Sequence, residues 1–397
     1  MRAATATGSR SADGAGTASR PPRSSSPPSP APPRVCRKSN DMGLRCSYDG
    51  RRRRRRQEDG ALNPTHPSPD PNAASLAASF EVVRPRLELV ERFIAEQLAG
   101  GPELVREAGG YVLQAGGKRL RPAILLTVSR LLGYHGDLDL RYGAIVEMIH
   151  TATLVHDDII DSATVRRGRA TANHRWGNQL TVLLGDWLYL RAIDLALQVA
   201  DIAAMQRLSF ATTQMTEGEI LGLALQGVSG VTREQYLEIT RRKTAELFAA
   251  ACSLPTHFLP EFERHRRALD EYGRNIGMCF QIIDDILDIV GSQQRLGKPV
   301  FSDLREGKLT LPFILALPRM ADAERALVER VLVNGDLPDA DPGSLRTLLD
   351  RLGVVDEARE IADEFGRRAV AALALLPPGP ELDALAAAPR FVVERES

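Results

Sequence analysis

The stretch IHTATLVHDDIIDSATVRRG, residues 149–168, decides how the rest of the chain is interpreted. An apolar helical pattern is followed by three carboxylates and two arginines, at Asp157, Asp158, Asp161, Arg166 and Arg167. Residues four apart share a helix face, so Asp157 and Asp161 would lie one above the other, with Asp158 beside them. These carboxylates repel, and apolar surroundings strengthen the repulsion. The pattern predicts a bound cation, and hard carboxylate oxygens favour Mg²⁺.

A second stretch repeats this spacing. Residues 279–289 read CFQIIDDILDI and place Asp284, Asp285 and Asp288 at positions i, i+1 and i+4. One such cluster alone could as well be a solvated acidic face or a charge at a helix N-terminus. Two clusters among isoleucines and leucines, with basic motifs nearby, favour a functional site. We expect the two clusters to face each other across a cavity.

Composition narrows the classes of function. The chain has 397 residues with 51 basic and 51 acidic side chains, so net charge implies no nucleic-acid partner. A hydrophobic content of 43% is enough for a sizeable core. No apolar run reaches membrane-spanning length, and the start lacks the apolar core of a signal peptide. The four cysteines show no metal-ligand spacing. We expect a cytoplasmic protein.

Residues 1–75 differ in composition from the rest. They are rich in Pro, Ser, Gly, Ala and Arg and include the unbroken run Arg51–Arg56. This composition buries too little apolar surface to offset chain entropy, so we expect a disordered tail. The arginine run could bind anionic lipid headgroups or simply be solvated, and we favour the second interpretation. Residues 76–397 are then expected to form one domain.

From Phe80 onward, apolar residues recur with the helical period of 3.6. Breaks rich in Gly, Pro and Asp divide this part into helical segments, and no stretch shows sustained strand alternation with hairpin turns. The expected helices are 80–98, 103–115, 122–133, 138–160, 177–200, 202–224, 232–253, 263–289, 309–318, 322–333, 343–351 and 354–375. The pattern predicts an all-α fold, a single large helical bundle whose central helices are apolar nearly all round.

A basic motif precedes the first acidic cluster. Residues 116–122 read GGKRLRP, in which the glycines allow close approach of a ligand and Pro122 suits the first turn of a helix. With Lys118, Arg119 and Arg121 beside a helix N-terminus, the motif would make a diphosphate site. Taken alone it could be a basic surface loop. A predicted metal site in the same chain favours the diphosphate site.

Other polar residues fall near the clusters. His150 lies two helical turns before Asp157 and therefore on the same side. Lys243 and Thr244 lie inside a helical segment, where an interior lysine needs a partner, although a surface lysine is an equally common interpretation. After the second cluster, the charged loop 297–308 could close over the site.

The motifs GGKRLRP, HDDIIDSATVRRG, Lys243-Thr244, FQIIDDILD and GKPVFSDLREGKLTLP occur in this order. In this ordered set, over about residues 80–395, the chain resembles the trans-isoprenyl diphosphate synthases, most closely the long-chain polyprenyl diphosphate synthases. The resemblance implies the isoprenoid synthase fold around a central cavity, normally in a homodimer. It also implies that an allylic diphosphate loses pyrophosphate to give an allylic cation, that the double bond of isopentenyl diphosphate attacks C1 of this cation, and that the released pyrophosphate takes the proton. Two to three Mg²⁺ ions would stabilise the leaving group.

The resemblance assigns roles to matching positions. The implied magnesium ligands are Asp157, Asp161 and Asp284, supported by Asp158, Asp285 and Asp288. The implied isopentenyl diphosphate site comprises Lys118, Arg121, His150 and Arg167. The implied allylic diphosphate site comprises Arg166, Lys243, Thr244, Gln281 and Lys298, with Lys308 assisting. The expected catalytic residues are Asp157, Asp158, Asp161, Asp284, Asp285 and Lys243.

The resemblance also relates product length to the residues one and two turns before the first cluster. In this chain these residues are Thr153 and Ala152, then Ile149 and Met148. Short-chain relatives carry bulky aromatic residues four or five positions before the first aspartate, where this chain has the small Thr153 and Ala152. Each further helical turn adds about 5.4 Å of depth. We expect a product in the C30–C50 class, used as a quinone side chain, with a geranylgeranyl-type product as the alternative. A long apolar product implies a transient membrane contact for its release.

Two positions depart from residues common in the family. Gly222 stands where relatives often have glutamine, and Phe301 stands where many have glycine. Neither change removes an expected ligand.

Two other functions compete. A class I terpene cyclase shares the first cluster but has a different second metal motif and no need for GGKRLRP, and a non-catalytic subunit of a heteromeric synthase tends to lose aspartates that this chain keeps.

Overall fold

The computed structural model describes residues 80–291, 299–335, 337 and 341–394. The expected tail, residues 1–75, lies outside this part of the chain, as does Lys298, and the domain boundary at residue 76 stays a prediction. Nearly all regular structure in the described residues is helical, which confirms the all-α prediction.

The first half of the described chain carries the first acidic cluster. Its helices are α1 Arg84–Ala99, α2 Glu103–Gln114, α3 Leu120–Leu131, α4 Leu138–Ile160, α5 Ala172–Trp176, α6 Asn178–Val199 and α7 Ile202–Ala224. Between α4 and α5 lie two short strands, β1 Val165–Arg166 and β2 Arg169–Ala170.

The second half carries the second cluster. Its helices are α8 Arg233–Thr240, α9 Glu246–Ser253, α10 Arg266–Val290, α11 Ser302–Arg305, α12 Leu311–Ala316, α13 Asp322–Asn334, α14 Asp341–Arg351, α15 Val354–Ala372 and α16 Pro380–Val393. A π-helical turn, Arg241–Ala245, joins α8 to α9. Short 3₁₀ turns occupy Glu81–Val83, Leu254–His257, Pro260–His265, Leu317–Arg319 and Leu373–Leu375.

Helices α4 and α10 are the buried axes of the fold. Ile145, Met148 and Ile149 on α4 are fully buried, and this helix packs most extensively on α6. The first half of α10 belongs to the core around α4, and its second half belongs to a second core formed with α12, α13 and α15. Helix α4 is apolar around most of its circumference because other helices surround it, whereas α10 buries one apolar face and carries charged residues such as Arg267 and Glu271 on the other.

Both acidic clusters lie at the C-terminal ends of these buried helices. Asp157 and Asp158 fall in the last turn of α4, Asp161 caps it, and Asp284 to Asp288 fall in the last two turns of α10. The helix dipole places partial negative charge at a C-terminus, so a carboxylate there is unfavourable without a cation. This placement rules out the alternative that the clusters are N-terminal helix charges.

The strand pair was not expected from the sequence. β1 and β2 are antiparallel, with Val165 opposite Ala170 and Arg166 opposite Arg169. The two loop residues, Arg167 and Gly168, both have positive φ, at 53° and 72°, as a type I′ hairpin turn requires. Strands of two residues are too short to show alternation. The hairpin fixes the direction of the two arginines that follow the first cluster.

Phe301 occupies a backbone conformation that favours glycine. Its φ is 59°, while its ring is 1% exposed and lies 6.1 Å from the ring of Phe313. The left-handed conformation costs a non-glycine residue about 1–2 kcal/mol, whereas a buried phenylalanine contributes about 3–5 kcal/mol relative to alanine. The buried ring therefore outweighs the strain.

We expect Phe301→Gly and Phe301→Ala both to lower the free energy of unfolding. The glycine variant should be more stable than the alanine variant by about 1 kcal/mol, the reverse of their usual helical order, because only alanine keeps the left-handed strain. Urea denaturation of the wild type and both variants measures this. An alanine variant more stable than the glycine variant would contradict the strained backbone.

Candidate active site

Each carboxylate of the first cluster contacts a cation from a different part of the fold. Arg166 Nε on β1 donates to Asp158 Oδ1 at 2.6 Å. Lys308 Nζ, in the loop after α11, donates to Asp161 Oδ1 at 2.8 Å. The third contact comes from the π-helical turn, where Lys243 Nζ lies 3.7 Å from Asp157 Oδ2. The hairpin, this loop and the π-helical turn therefore meet at the end of α4.

Asp157 has the most perturbed environment of the three. Burial raises its pKa to about 6, with Lys243 opposing the rise and Glu219 and Asp161 adding to it. Its side chain is 18% exposed, and that of Asp161 is 14% exposed, so both remain accessible to a small ligand. The lysine therefore compensates the carboxylate only in part, which is the condition under which a further cation would bind.

The π-helical turn sets the position of Lys243. In such a turn the widened ring of backbone hydrogen bonds shifts the register of the residues that follow. Lys243 also forms an ion pair with Glu219 on α7. Burial alone would lower the pKa of Lys243, but Asp157 and Glu219 raise it above the usual value. The lysine is therefore a charged group between two carboxylates, which excludes the interpretation as a free surface lysine.

Gly218 allows α7 to approach this turn. A Cβ at residue 218 would lie 2.6 Å from the backbone nitrogen of Lys243, closer than real Cβ contacts, whereas a Cβ at Gly222, one turn later, would meet only Ile239 at 3.9 Å. Glycine at 218 is thus required by packing. The glycine at 222, which departs from the residue common in the family, is not required by packing.

We expect Gly218→Ala to reduce activity by about tenfold or more, because the new methyl group displaces the backbone that carries Lys243. Gly222→Ala is the matched control. It has room for its methyl group and should leave activity unchanged, with stability equal or higher by up to about 1 kcal/mol from helix propensity. Steady-state kinetics and thermal unfolding of both variants test this. Equal activity of the two variants would contradict the packing argument.

The second cluster divides into one exposed and two buried carboxylates. Asp284 is exposed, whereas Asp285 is buried and accepts hydrogen bonds from Tyr236 Oη at 2.7 Å and Gln281 Nε2 at 2.8 Å. Burial, then the charge of Asp303, raises the pKa of Asp285 well above its usual value. Of this cluster, Asp284 is the carboxylate best exposed to a ligand from solution.

Asp288 anchors the loop that follows α10. Its carboxylate accepts hydrogen bonds from the Ser302 hydroxyl and, at 3.2 Å, from the backbone N–H of Asp303. Its backbone carbonyl accepts from the N–H of Phe301 at 2.9 Å. The same loop brings Lys308 to Asp161. In this conformation Asp288 positions the loop, and its supporting role toward a metal stays a prediction.

A continuous polar path links the two clusters. Asp157 contacts Lys243, and the neighbouring Thr244 donates from Oγ1 to Gln281 Oε1 at 2.8 Å. The amide of Gln281 in turn donates to Asp285. The end of α4, the π-helical turn and the end of α10 therefore border one site.

The basic residues at the start of α3 and just before it border the same region. Arg121 is buried, with its guanidinium 4.3 Å from the centre of the Phe248 ring. Its Nε has no hydrogen-bond partner among the described residues, and burial lowers its pKa to about 10 although Glu147 opposes this. A buried donor without an acceptor is unfavourable. An anionic ligand would supply the acceptor.

The other members of the GGKRLRP motif divide in role. Arg119 donates to Glu91 at 2.9 Å and to Glu147 at 2.6 Å, so its guanidinium braces α1 and α4. Lys118 is exposed, and Arg167 at the hairpin tip donates to the backbone carbonyl of Gly116. The contribution of Arg119 to a diphosphate site stays a prediction. Helix α3 begins at Leu120, two residues before the expected start.

His150 faces these arginines. Burial lowers its pKa well below the usual value, and the charges of Arg121, Arg167, Arg119 and Arg166 lower it further. The imidazole is therefore neutral at physiological pH, and it can take part in hydrogen bonds without adding charge. Its placement agrees with the helical spacing argued from the sequence.

The four residues related to product length lie on the inner side of α4. Met148, Ile149 and Ala152 are at most 1% exposed, whereas Thr153 is half-buried and donates its hydroxyl to the carbonyl of His150 at 2.8 Å. Ala152 is the smallest side chain of this set and lies one to two turns before the acidic cluster.

Several residues that complete the site were not singled out from the sequence. Glu219 pairs with Lys243, 24 positions away, and Tyr236 donates to Asp285, 49 positions away. Ser302, which lies at the start of α11, donates to Asp288. The only local signal was the Glu-Gly-Glu sequence at 217–219, in which a glycine inside a helical pattern indicates close packing.

The donor chemistry of the site fits a divalent metal. The available oxygens of Asp157, Asp161 and Asp284 are hard ligands, as Mg²⁺ prefers. Within the described ranges no three His, Cys, Asp or Glu side chains already converge as a metal site. The lysines that contact Asp157 and Asp161 have flexible side chains, so they can yield these oxygens to a metal.

An all-helical fold with two acidic helix ends and a basic loop fits a class of enzyme that acts on diphosphates. The Polyprenyl synthetase family matches residues 102–342. Octaprenyl diphosphate synthase from Escherichia coli K12 is 34% identical over 77% of this chain and 95% of its own length. Geranylgeranyl diphosphate synthase from Sulfolobus acidocaldarius is 32% identical over 72% of this chain and 88% of its own length.

A solved structure agrees with these relatives. Polyprenyl synthase from Caulobacter crescentus CB15, complexed with calcium and isoprenyl diphosphate, is 34% identical and superposes with a TM-score of 0.77, covering 83% of this chain and all of that one. The chain belongs to the polyprenyl synthetase family and is a transferase of prenyl groups. This confirms the resemblance and the isoprenoid synthase fold. None of the helices in the described part is long and apolar enough to cross a membrane.

Proposed function

We propose that the chain condenses isopentenyl diphosphate with an allylic diphosphate to give an all-trans polyprenyl diphosphate, using Mg²⁺. The observation that carries the proposal is the polar path between the acidic clusters, from Asp157 and Lys243 through Thr244 and Gln281 to Asp285. The calcium and isoprenyl diphosphate in the Caulobacter structure support a divalent metal and this class of substrate.

The side chains have complementary roles in this reaction. Arg121, with its buried donor, and the exposed Lys118 and Arg167 would bind the diphosphate of isopentenyl diphosphate, and the neutral His150 would hold it in place. Arg166 lies beside the first cluster, where the allylic diphosphate would bind. Arg121, which is buried, and Arg166, which donates to Asp158, are positioned before the substrate arrives, and this lowers the reorganisation needed in the transition state.

The leaving group would depart between the two clusters. Lys243 and Thr244 lie there, and Lys308 reaches the same end of α4. Asp157, Asp161 and Asp284 would hold Mg²⁺, which when bound supplies positive charge to the departing pyrophosphate. The lysines add to this charge. Gln281 orients both Thr244 and Asp285.

The proposed product is in the C30–C50 class. The inner side of α4 has no aromatic side chain at Met148, Ile149, Ala152 or Thr153 that would stop a growing chain. Relatives of similar identity are named for both octaprenyl and geranylgeranyl products, so family membership alone leaves length open. A long product suits a quinone side chain.

The direct test uses the chain expressed alone. With isopentenyl diphosphate, farnesyl diphosphate and Mg²⁺, we expect elongated products on mass analysis after dephosphorylation, and no turnover in excess EDTA. Products of C15 or C20 only would contradict the proposed length. A cyclised hydrocarbon would instead indicate a terpene cyclase. No turnover at all, with a folded protein and Mg²⁺ present, would indicate a non-catalytic subunit.

A second copy of the chain is the proposed partner. Leu183, Leu190 and Leu197 on α6 repeat every seven residues on one helix face and are each at least 58% exposed, and Phe210 and Ile220 on α7 are exposed as well. Clusters of exposed apolar side chains mark interfaces, and in homodimers the same surface is used twice. Sedimentation should give a dimer, and a monomer would contradict this assignment.

A further inference from the structure

A basic cavity lies outside the residues assigned to the reaction. Five arginines line it, and only two carboxylates oppose them; the arginines are Arg207, Arg264, Arg266, Arg267 and Arg274. The cavity is bordered by α7, by the 3₁₀ turn Pro260–His265 and by the first turns of α10. The N-terminus of α10, a helix of 25 residues, adds partial positive charge. The cavity therefore has the charge of an anion site.

Not all of these arginines are neutralised by the protein. Arg207 and Arg274 form ion pairs with Asp270 at 2.6 Å, and Arg266 lies 3.3 Å from Glu263. Arg267, in contrast, is exposed and forms no ion pair or hydrogen bond within the described ranges. Guanidinium groups without acceptors at the mouth of a cavity favour an anion with several oxygens.

Two further donors point to a missing acceptor. Nη1 of Arg207 is buried and has no hydrogen-bond partner in the described part of the chain. Arg264 is exposed, and the only contact found for it there is the donation from its Nε to the ring nitrogen Nε2 of His265 at 3.1 Å. A buried guanidinium donor without an acceptor is costly, and a phosphate oxygen would relieve this cost.

The cavity is connected to the reaction site by Glu246, which is fully buried. Its Oε1 accepts from Arg274 Nε at 3.1 Å and from Arg241 Nη1 at 2.7 Å, and its Oε2 lies 3.5 Å from Arg207 Nη2. Arg241 is the first residue of the π-helical turn that carries Lys243. One carboxylate thus joins two cavity arginines to that turn.

We propose that this arginine cavity is a second anion site, which binds a ligand bearing a phosphate group, and that Glu246 couples its occupancy to the position of Lys243. The ligand could be inorganic diphosphate or a phospholipid headgroup, which share the same phosphate chemistry. The binding part stands on the cavity alone. The coupling part rests on the proposed function.

Calorimetry on the full chain tests the binding part. Inorganic diphosphate is titrated in EDTA, where metal-dependent binding is absent, into the wild type, Arg264→Ala/Arg267→Ala and the matched control Arg330→Ala, whose arginine is exposed on α13. Arg121, Lys118 and Arg167 would bind diphosphate without a metal as well, so the wild type should show two binding sites. We expect the double variant to bind at least about tenfold more weakly at one of the two sites and the control to match the wild type. Because Phe210 borders both the cavity and the proposed dimer face, sedimentation must show the same assembly in all three.

A parallel titration distinguishes the two sources of phosphate. Vesicles of phosphatidylcholine with and without phosphatidylglycerol are sedimented with the same three proteins. Loss of one of the two diphosphate sites in the double variant identifies a free phosphate ligand, and loss of vesicle binding alone identifies a headgroup. Equal binding of both probes by wild type and double variant would overturn the site.

Inhibition kinetics test the coupling. Inorganic diphosphate should inhibit the wild type with a competitive part and a non-competitive part, and only the non-competitive part should disappear in Arg264→Ala/Arg267→Ala. Retention of the non-competitive part in that variant would overturn the coupling. A failure of the proposed function can be distinguished from a failure of the coupling. In the first case the chain would show no turnover, while calorimetry would still detect diphosphate binding at the cavity.

Discussion

Asp157→Asn should lower kcat/KM by about 10²–10³-fold while the protein stays folded. The substitution keeps the shape of the side chain but removes the charge that would hold a metal and that Lys243 approaches at 3.7 Å. Preorganised charges at a departing group are typically worth this much in rate. Steady-state kinetics over a range of Mg²⁺ concentrations measure the effect, and we expect the apparent affinity for Mg²⁺ to fall as well.

Stability separates this loss from unfolding. Burial already raises the pKa of Asp157 to about 6, so the ionised form is unfavourable in the folded protein, and a neutral amide should not lower the melting temperature. Asp350→Asn, at an exposed position of α14, is the control and should behave as wild type. Turnover of Asp157→Asn within about twofold of wild type would show that this carboxylate does not carry the reaction.

Ala152→Phe should shorten the product by several isoprene units. Ala152 is 1% exposed on the inner side of α4, one to two turns before the acidic cluster. Each helical turn corresponds to about 5.4 Å of depth, so an aromatic ring at this level would block a chain growing along the helix. Mass analysis of the dephosphorylated products from wild type and variant, at equal turnover, measures the shift.

A matched substitution shows whether the ring enters free space. Overpacking a filled core costs about 1–3 kcal/mol. Ala362→Phe on α15, also fully buried, should show this cost without any change in product length. Ala152→Phe should be less destabilising if a channel for the product runs past it. An unchanged product distribution in Ala152→Phe, with activity retained, would rule out this path.

The helical periodicity was sufficient for the main architecture. Helix α4 ends where the pattern predicted, and so does α7, because each has a continuous apolar face closed by Gly, Asp or Ser. The last helix, α16, was missed. It contains Pro389, which normally argues against a helix interior.

The π-helical turn could not be predicted. The segment 232–253 has one helical pattern throughout. The change from α to π hydrogen bonding depends on how this segment packs against α7, where Gly218 permits the close approach. Propensity does not encode such a shift. The sequence led us to predict Lys243 and Thr244 as site residues, but the reason for their position came only from the structure.

The ion-pair partners could not be predicted from the sequence either. Arg119 was grouped with the other basic residues of its motif, yet its two glutamates come from α1 and α4, each 28 positions away. Asp288 repeats the spacing of a metal ligand, but in the structure its carboxylate accepts hydrogen bonds from Ser302 and Asp303 at the start of α11. Spacing along one helix predicts which side chains share a face, and the partners on other elements decide what each does.

The most direct measurement is an anomalous diffraction map of crystals grown with Mn²⁺ and inorganic diphosphate. We expect metal peaks between the ends of α4 and α10, coordinated by Asp157 and Asp161 on one side and Asp284 on the other, with diphosphate oxygens bridging them. Metal peaks that touch only one of the two helices, or a diphosphate bound away from both, would contradict a shared site.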